Sequence, residues 1–187
     1  MKSSVCYTMK KRAIVIIPDG FEEMEFCCPF DILSRGGIDV TVAGYGNVNL
    51  TSSHGLRVRA DVEFVGAPTE AYDCVVLPGG PGCYNMRGNE AVMTFLVKHW
   101  QAKKLLCAIC AAPLILYDCG ILRGKKYTAH PCTYNELEEA QTTNRVVTDD
   151  NLITASGPGA AVEFGLKILE FLIGKTTADD VARSALL

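Results

Sequence analysis

The sequence predicts an α/β sandwich, a mainly parallel sheet with helices on both faces, and three observations carry that expectation. Residues 13–17, 73–77 and 105–109 are short, nearly continuous apolar runs, as expected of strands buried on both faces. Stretches of helical periodicity lie between such runs through most of the chain, the alternation that builds a parallel sheet. The run at 105–109 stops abruptly at Cys110, and Pro113 then opens an apolar helix, since proline is tolerated in a first helical turn. Cys110 therefore stands at a cysteine nucleophile elbow, a sharp strand-to-helix turn among the small residues Ala108, Ala111 and Ala112.

In chain order, Pro18-Asp19-Gly20 ends the first strand. Asp19 and Glu22 offer a capping box to a helix carrying Met24, Phe26, Cys27, Phe30, Ile32 and Leu33. Pro29 is expected to bend or divide that helix. Gly36-Gly37 closes it, and residues 39–43 form the next strand. The segment from Gly44 to Pro68 is turn-rich, with enough alternation at 58–65 for one strand whose pairing stays open. Residues 73–77 lead into Pro78-Gly79-Gly80-Pro81-Gly82, where glycines permit close backbone approach or simply a tight turn. A helix over 90–104 buries Val92, Phe95, Leu96 and Trp100. After the Cys110 helix, residues 126–129 are expected to form a short strand delivering His130-Pro131, and 135–141 a short polar helix. Residues 145–148 and 152–155 flank Asp149-Asp150-Asn151 as a hairpin, and Ser156-Gly157-Pro158-Gly159 leads into a helix over 160–172.

Composition bounds the function. The chain has 187 residues, 49% of them hydrophobic, enough for one domain over 12–187 behind a flexible N-terminal extension at 1–11. A net charge of −3 gives no basic field for nucleic acid. No apolar run reaches the roughly 20 residues of a membrane span, and the first 11 residues lack a signal-peptide core. Nine cysteines, an odd number in so apolar a chain, read as reduced thiols in a cytoplasmic protein.

In open α/β sheets, ligands bind beyond the carboxyl ends of the strands. The Gly79-Gly80 loop, Cys110, His130 and the Gly157-Pro158-Gly159 loop each follow a strand, and Glu25 follows the first one. Unpaired N–H groups at a helix start favour thiolate over thiol, so the Cys110 pKa is expected to be lowered. Taken alone, each residue also has a bland reading: Cys110 as a small core hydrophobe, Glu25 as a surface residue near a helix dipole, His130 as a strand end. Cys107 and Cys110 form a C-x-x-C, but Cys107 falls inside the strand, facing away from Cys110, and no second such pair follows. Metal binding is not expected.

The segments Gly20-Phe21-Glu22-Glu23-Met24-Glu25, Val75-Val76-Leu77-Pro78-Gly79-Gly80, Ala108-Ile109-Cys110-Ala111-Ala112-Pro113, His130-Pro131 and Ser156-Gly157-Pro158-Gly159 together resemble the ThiJ/PfpI superfamily and, within it, the parkinsonism-associated protein deglycase branch. The resemblance implies a flavodoxin-like fold and a homodimer. It makes Cys110 the nucleophile, Glu25 an acid–base carboxyl bonded to its sulfur, and His130 a proton-transfer partner. Gly80 and Ala111 would supply oxyanion N–H groups, and Gly79, His54, Gly157 and Pro158 would line the substrate. It further implies cofactor-independent conversion of methylglyoxal, glyoxal or their protein adducts to hydroxy acids through a Cys110 hemithioacetal. The alternative role is oxidative-stress protection through oxidation of Cys110. Ala111 stands where the peptidase branch has histidine, and Cys132 where glutamine amidotransferases have glutamate, which weighs against both activities. His54 and Ser156 occupy positions where closer relatives often carry arginine, and His54 is a candidate substitute as a pH-dependent donor. Arg35 is retained on the expected dimer side.

Overall fold

The computed structural model describes residues 10–65 and 71–187. Residues 1–9, which include Cys6 and most of the expected N-terminal extension, lie outside them. Lys11, assigned to that extension, donates through Nζ to Asp73 at 3.1 Å, and its carbonyl accepts from the Asp39 N–H.

In chain order the strands are β1 (Arg12–Ile17), β2 (Asp39–Tyr45), β3 (Asn49–Thr51), β4 (Arg57–Arg59), β5 (Val62–Phe64), β6 (Cys74–Leu77), β7 (Leu105–Ile109), β8 (Val146–Asp149) and β9 (Leu152–Ala155). The helices are α1 (Glu23–Arg35), α2 (Glu90–Gln101), α3 (Pro113–Asp118), α4 (Ala161–Ile173) and α5 (Lys175–Ser184). Seven strands form one sheet in the order β5-β2-β1-β6-β7-β9-β8, and β3 and β4 pair separately. Every contact within the large sheet is parallel except β8 with β9. This is a flavodoxin-like α/β fold.

The apolar runs explain the layers. Alternate residues of β1 face opposite cores: Ile14 and Ile16 pack with Val92, Phe95 and Leu96 of α2 and with α3. Ala13, Val15 and Ile17 pack with Phe26, Ile32 and Leu33 of α1 and with Phe164 and Ile168 of α4. With helices on both faces, neither side of the strand can be polar. Of the two outcomes expected at Pro29, division does not occur: α1 runs through it. The proline's missing N–H leaves the Glu25 carbonyl without that intrahelical donor, and Gly165 of α4 opens room beside it. A methyl group on Gly165 would lie 3.0 Å from the Pro29 Cα.

Other expectations are corrected. The stretch 58–65 is two strands, because the chain leaves the β3–β4 pair at Ala60, which donates to Val48, and joins the main sheet at Asp61, which donates to Val42. Residues 126–129 form no strand. β9 is already flanked by β7 and β8, so Thr128 donates instead to the Thr154 side chain. Residues 135–141 form turns rather than a helix. α2 buries His99 fully, while Trp100 is only half-buried. α5 has no counterpart in the sequence expectations; it is mostly polar, and its buried residues are Ala178 and Val181.

Candidate active site

β1 lies between β2 and β6. The chain builds outward to one side of β1 and then returns to the other, opening a crevice above the carboxyl ends of β1 and β6, where ligands bind in such sheets. Three segments reach it: the first turn of α1, the Gly79-Gly80 loop after β6, and Cys110 after β7.

The first turn of α1 is capped differently from the sequence expectation. Glu22 is the N-cap, its carboxylate accepting from the Glu25 N–H at 2.8 Å. Asp19 is occupied elsewhere, accepting from the Thr51 N–H. The consequence is the orientation of Glu25, which is 0% exposed. Its Oε2 accepts from the Gly79 N–H at 2.7 Å. Its Oε1 is buried with no hydrogen-bond partner, and the nearby Cys110 thiol is a side chain that favours the anion of the same carboxyl.

Cys110 has φ +64°, a conformation uncommon for a residue other than glycine and worth about 1–3 kcal/mol of local strain. Two backbone bonds hold it there: its N–H donates to Ala155 at 2.9 Å, and its carbonyl accepts from the His130 N–H at 2.9 Å. The sulfur is half-buried and borders both core clusters. Gly79 permits this packing. A methyl group there would lie 2.8 Å from Glu25 Oε2 and 2.9 Å from the Cys110 Cβ, inside normal contact.

The electrostatics overturn the expectation of a thiol acidified by its turn. Burial first, then the charge of the Glu25 carboxylate, push the Cys110 thiol up, while N–H groups of Gly80 and Ala111 donate to the sulfur and pull it down. Burial likewise lifts Glu25 to about 7, against the bonds from Cys110 and Gly79 that favour its anion. The sequence argument counted the N–H donors and omitted the buried acid. Two such groups in contact titrate as a pair, and the first of its two protons leaves near neutrality, after which one is shared.

The remaining expected residues fall at differing removes. His130 is tied to Cys110 by its backbone, and its Nδ1 accepts from the Cys132 N–H at 3.2 Å. Gly157 packs on the same ring; a methyl group there would sit 3.2 Å from the His130 Cδ2. Pro158 opens the short turn that precedes α4. His54 faces Glu23, its Nδ1 2.8 Å from Oε2. Against the burial that would raise it, bonds from His54, Ser52 and the backbone hold Glu23 down at about 2. Its hydrogen bond to Glu23 raises the exposed His54. Glu22, Glu23 and His54 bring ligand-type atoms within 4.8 Å of one another. Their oxygens already cap α1 and accept from the Ser52–His54 loop.

Sequence reasoning missed the opposite rim. Tyr84, in the turn after Gly80, is hydrogen-bonded to Cys132 and lies close enough to Cys83 and Cys110 to be raised by them, after burial and Cys132 itself. The spacing of Cys132, two residues past His130, was the available signal.

Comparison with known proteins agrees with this layout. The profile of the DJ-1/PfpI family matches residues 11–171. Drosophila melanogaster protein dj-1beta is 39% identical over 184 residues, spanning 96% of this chain and 98% of its own. The crystal structure of Drosophila DJ-1beta superposes with a TM-score of 0.91 at 38% identity, covering 96% of this chain and 99% of that one. The glutathione-independent glyoxalase DJR-1.2 of Caenorhabditis elegans is 33% identical over 88% of this chain and 90% of its own. The structure of an oxidized Toxoplasma gondii DJ-1 superposes at a TM-score of 0.88 with 33% identity, covering 94% and 98% of the two chains.

Proposed function

The chain belongs to the DJ-1/PfpI family, and from that premise we propose that it is a cofactor-independent cysteine enzyme of the glyoxalase or protein deglycase type. The observation that carries this reading is the juxtaposition at the crevice: a buried carboxyl lifted to about 7 beside a half-buried sulfur that receives the N–H groups of Gly80 and Ala111. The reactive form has the shared proton on Glu25 and the charge on Cys110. The Glu25 carboxyl is then the acid beside the sulfur, with Oε1 free to carry the proton.

From that form the Cys110 thiolate adds to the aldehyde carbon of methylglyoxal or glyoxal. The carbonyl electron pair becomes an alkoxide, which takes the Glu25 proton to give a hemithioacetal. The N–H groups of Gly80 and Ala111 favour negative charge at this place. Glu25, now a carboxylate, removes the proton from the former aldehyde carbon, and a proton is returned to the adjacent carbon, giving a thioester of the hydroxy acid. The His130 Nδ1 already accepts from Cys132, so the proton sits on Nε2, the atom free to relay it. Water cleaves the thioester and restores the thiol. The sum is addition of water, and no electrons leave the substrate. The DJR-1.2 relative named as a glyoxalase supports the same reading.

The decisive assay is lactate formation from methylglyoxal by the wild type and Cys110→Ala. Loss of turnover in the variant is expected, and equal rates would remove the enzyme reading. A glycated peptide run alongside separates free aldehyde from adduct as the preferred substrate. A second reading, oxidation of Cys110 as a stress signal, is favoured by the relative solved in an oxidized form and by the acid beside the sulfur, which can hydrogen-bond a sulfinate. Mild peroxide followed by mass spectrometry tests it: selective oxidation at Cys110 supports it, and scattered oxidation opposes it. The resemblance also carries a homodimer acting in a reducing cytoplasm, which sedimentation in solution and localisation of the tagged chain would test.

A further inference from the structure

At the far end of α3 from Cys110, a cavity of about 750 Å³ is walled by the end of that helix and by the 135–139 turns. No residue of the cysteine site lines it. Its walls combine aromatic and acidic groups: Tyr117 and Tyr127, with Glu136, Glu138 and Glu139. Arg123 is the basic side chain in the lining. Glu136 is held by Arg87, which also grips Asp118 at 2.8 Å. Counting that network, four carboxylates face two arginines, and Glu138 and Glu139 are exposed carboxylates in the lining.

Tyr127 is the informative residue. It is 2% exposed, yet it lines the cavity. Its backbone is fixed, the carbonyl accepting from the Gln141 N–H at 2.8 Å. Its hydroxyl makes no hydrogen bond to another described residue and is not among the fully buried polar atoms, so the oxygen opens onto the cavity that the residue lines. Burial, then Glu139 and Tyr117, push this phenol up, so it stays neutral and offers oxygen lone pairs to a donor.

We propose that this cavity binds an alkylammonium or guanidinium group: the cation stacks on the exposed Tyr117 ring, donates to the Tyr127 hydroxyl oxygen, and is neutralised by Glu138 and Glu139. A ring face attracts a cation, and a planar guanidinium offers several N–H donors at once, enough to reach the phenol oxygen and a carboxylate together. The chemistry is shared by a free diamine or guanidino compound and by a lysine or arginine side chain of a peptide.

Calorimetric titration of the intact chain tests this with agmatine, with an arginine-containing peptide, and with butylurea, an uncharged urea analogue that lacks agmatine's second ammonium. Saturable one-to-one binding of agmatine or the peptide, with none of the urea analogue, is the expected result. The tighter of the two cationic probes identifies the source. Glu139→Gln should weaken that binding about tenfold, as loss of a charge-assisted bond predicts. Tyr127→Phe should weaken it about threefold to tenfold, the worth of one neutral hydrogen bond. Both variants should leave oxoaldehyde turnover unchanged. Equal binding of the neutral analogue, failure to saturate, or affinities indifferent to both substitutions would overturn the proposal. The analogue comparison uses the unmodified chain and so stands even if a variant fails to fold.

Discussion

Replacing Gly79 by alanine tests how tightly the crevice is built. The added methyl would lie 2.8 Å from Glu25 Oε2, 2.9 Å from the Cys110 Cβ and 2.9 Å from the Ile109 carbonyl oxygen. Carbon contacts relax at about 3.5–4.0 Å, so something must move by roughly 0.6–1 Å. None of the three neighbours is the free end of a flexible chain. Ile109 is backbone, Cys110 is pinned through its N–H and carbonyl, and Glu25 is held by the Gly79 N–H itself. Overpacking of this kind costs about 1–3 kcal/mol of stability, and a displacement near 1 Å costs on the order of 100-fold in turnover. Gly159→Ala is the control, because nothing lies within 4 Å of a methyl group there. Urea unfolding and lactate formation, measured on both variants, give the two readouts. A Gly79→Ala protein with the stability and turnover of Gly159→Ala would refute the packing argument.

Two further predictions concern buried and paired charges elsewhere in the fold. His99 is 0% exposed and depressed by burial to about 4 from 6.5. Between those values the unfolded chain binds a proton that the folded one refuses, so falling pH removes up to about 3 kcal/mol. Glu25, lifted from 4.5 to about 7, works oppositely, gaining a similar amount as pH falls from 7 to 4.5. His99→Leu should therefore reveal a protein whose urea midpoint rises on acidification from pH 7 to 5, while the wild type stays nearly level; the slope is the readout, because losing the bond to the Leu105 carbonyl lowers stability at every pH. Arg87 bonds both Asp118 and Glu136 from a largely covered position, so Arg87→Met should cost about 1–3 kcal/mol by leaving two carboxylates uncompensated, read by thermal unfolding.

The strands were legible because a strand covered on both faces has no choice but to be apolar, and the elbow because Pro113 fixes where helix can begin. Glu25, Gly79, Gly80 and Cys110 meet as the sheet topology required. Features decided by tertiary context were not legible. Asp19 is the cap former by residue type and Glu22 its box partner, until the Thr51 N–H claims Asp19 and Glu22 takes the cap. Residues 126–129 have strand composition but arrive at a sheet edge that β8 has taken. α5 carries too few apolar residues to announce itself, and is held by Ala178 and Val181 against the α4 side of the sheet. The direction of the Cys110 shift depends on a charge 85 positions away in sequence, invisible to any argument from the turn alone.

The location of the shared proton is the point on which the chemistry turns, and the pH dependence of Cys110 alkylation in wild type and Glu25→Gln measures it. If Glu25 carries the proton while sulfur carries the charge, wild-type reactivity rises with a midpoint near 7, and the amide, which has no proton to exchange, moves that midpoint upward and slows alkylation at neutral pH. A Glu25→Gln protein alkylated faster than wild type at neutral pH would mean that the carboxylate suppresses the thiolate, and would contradict the mechanism.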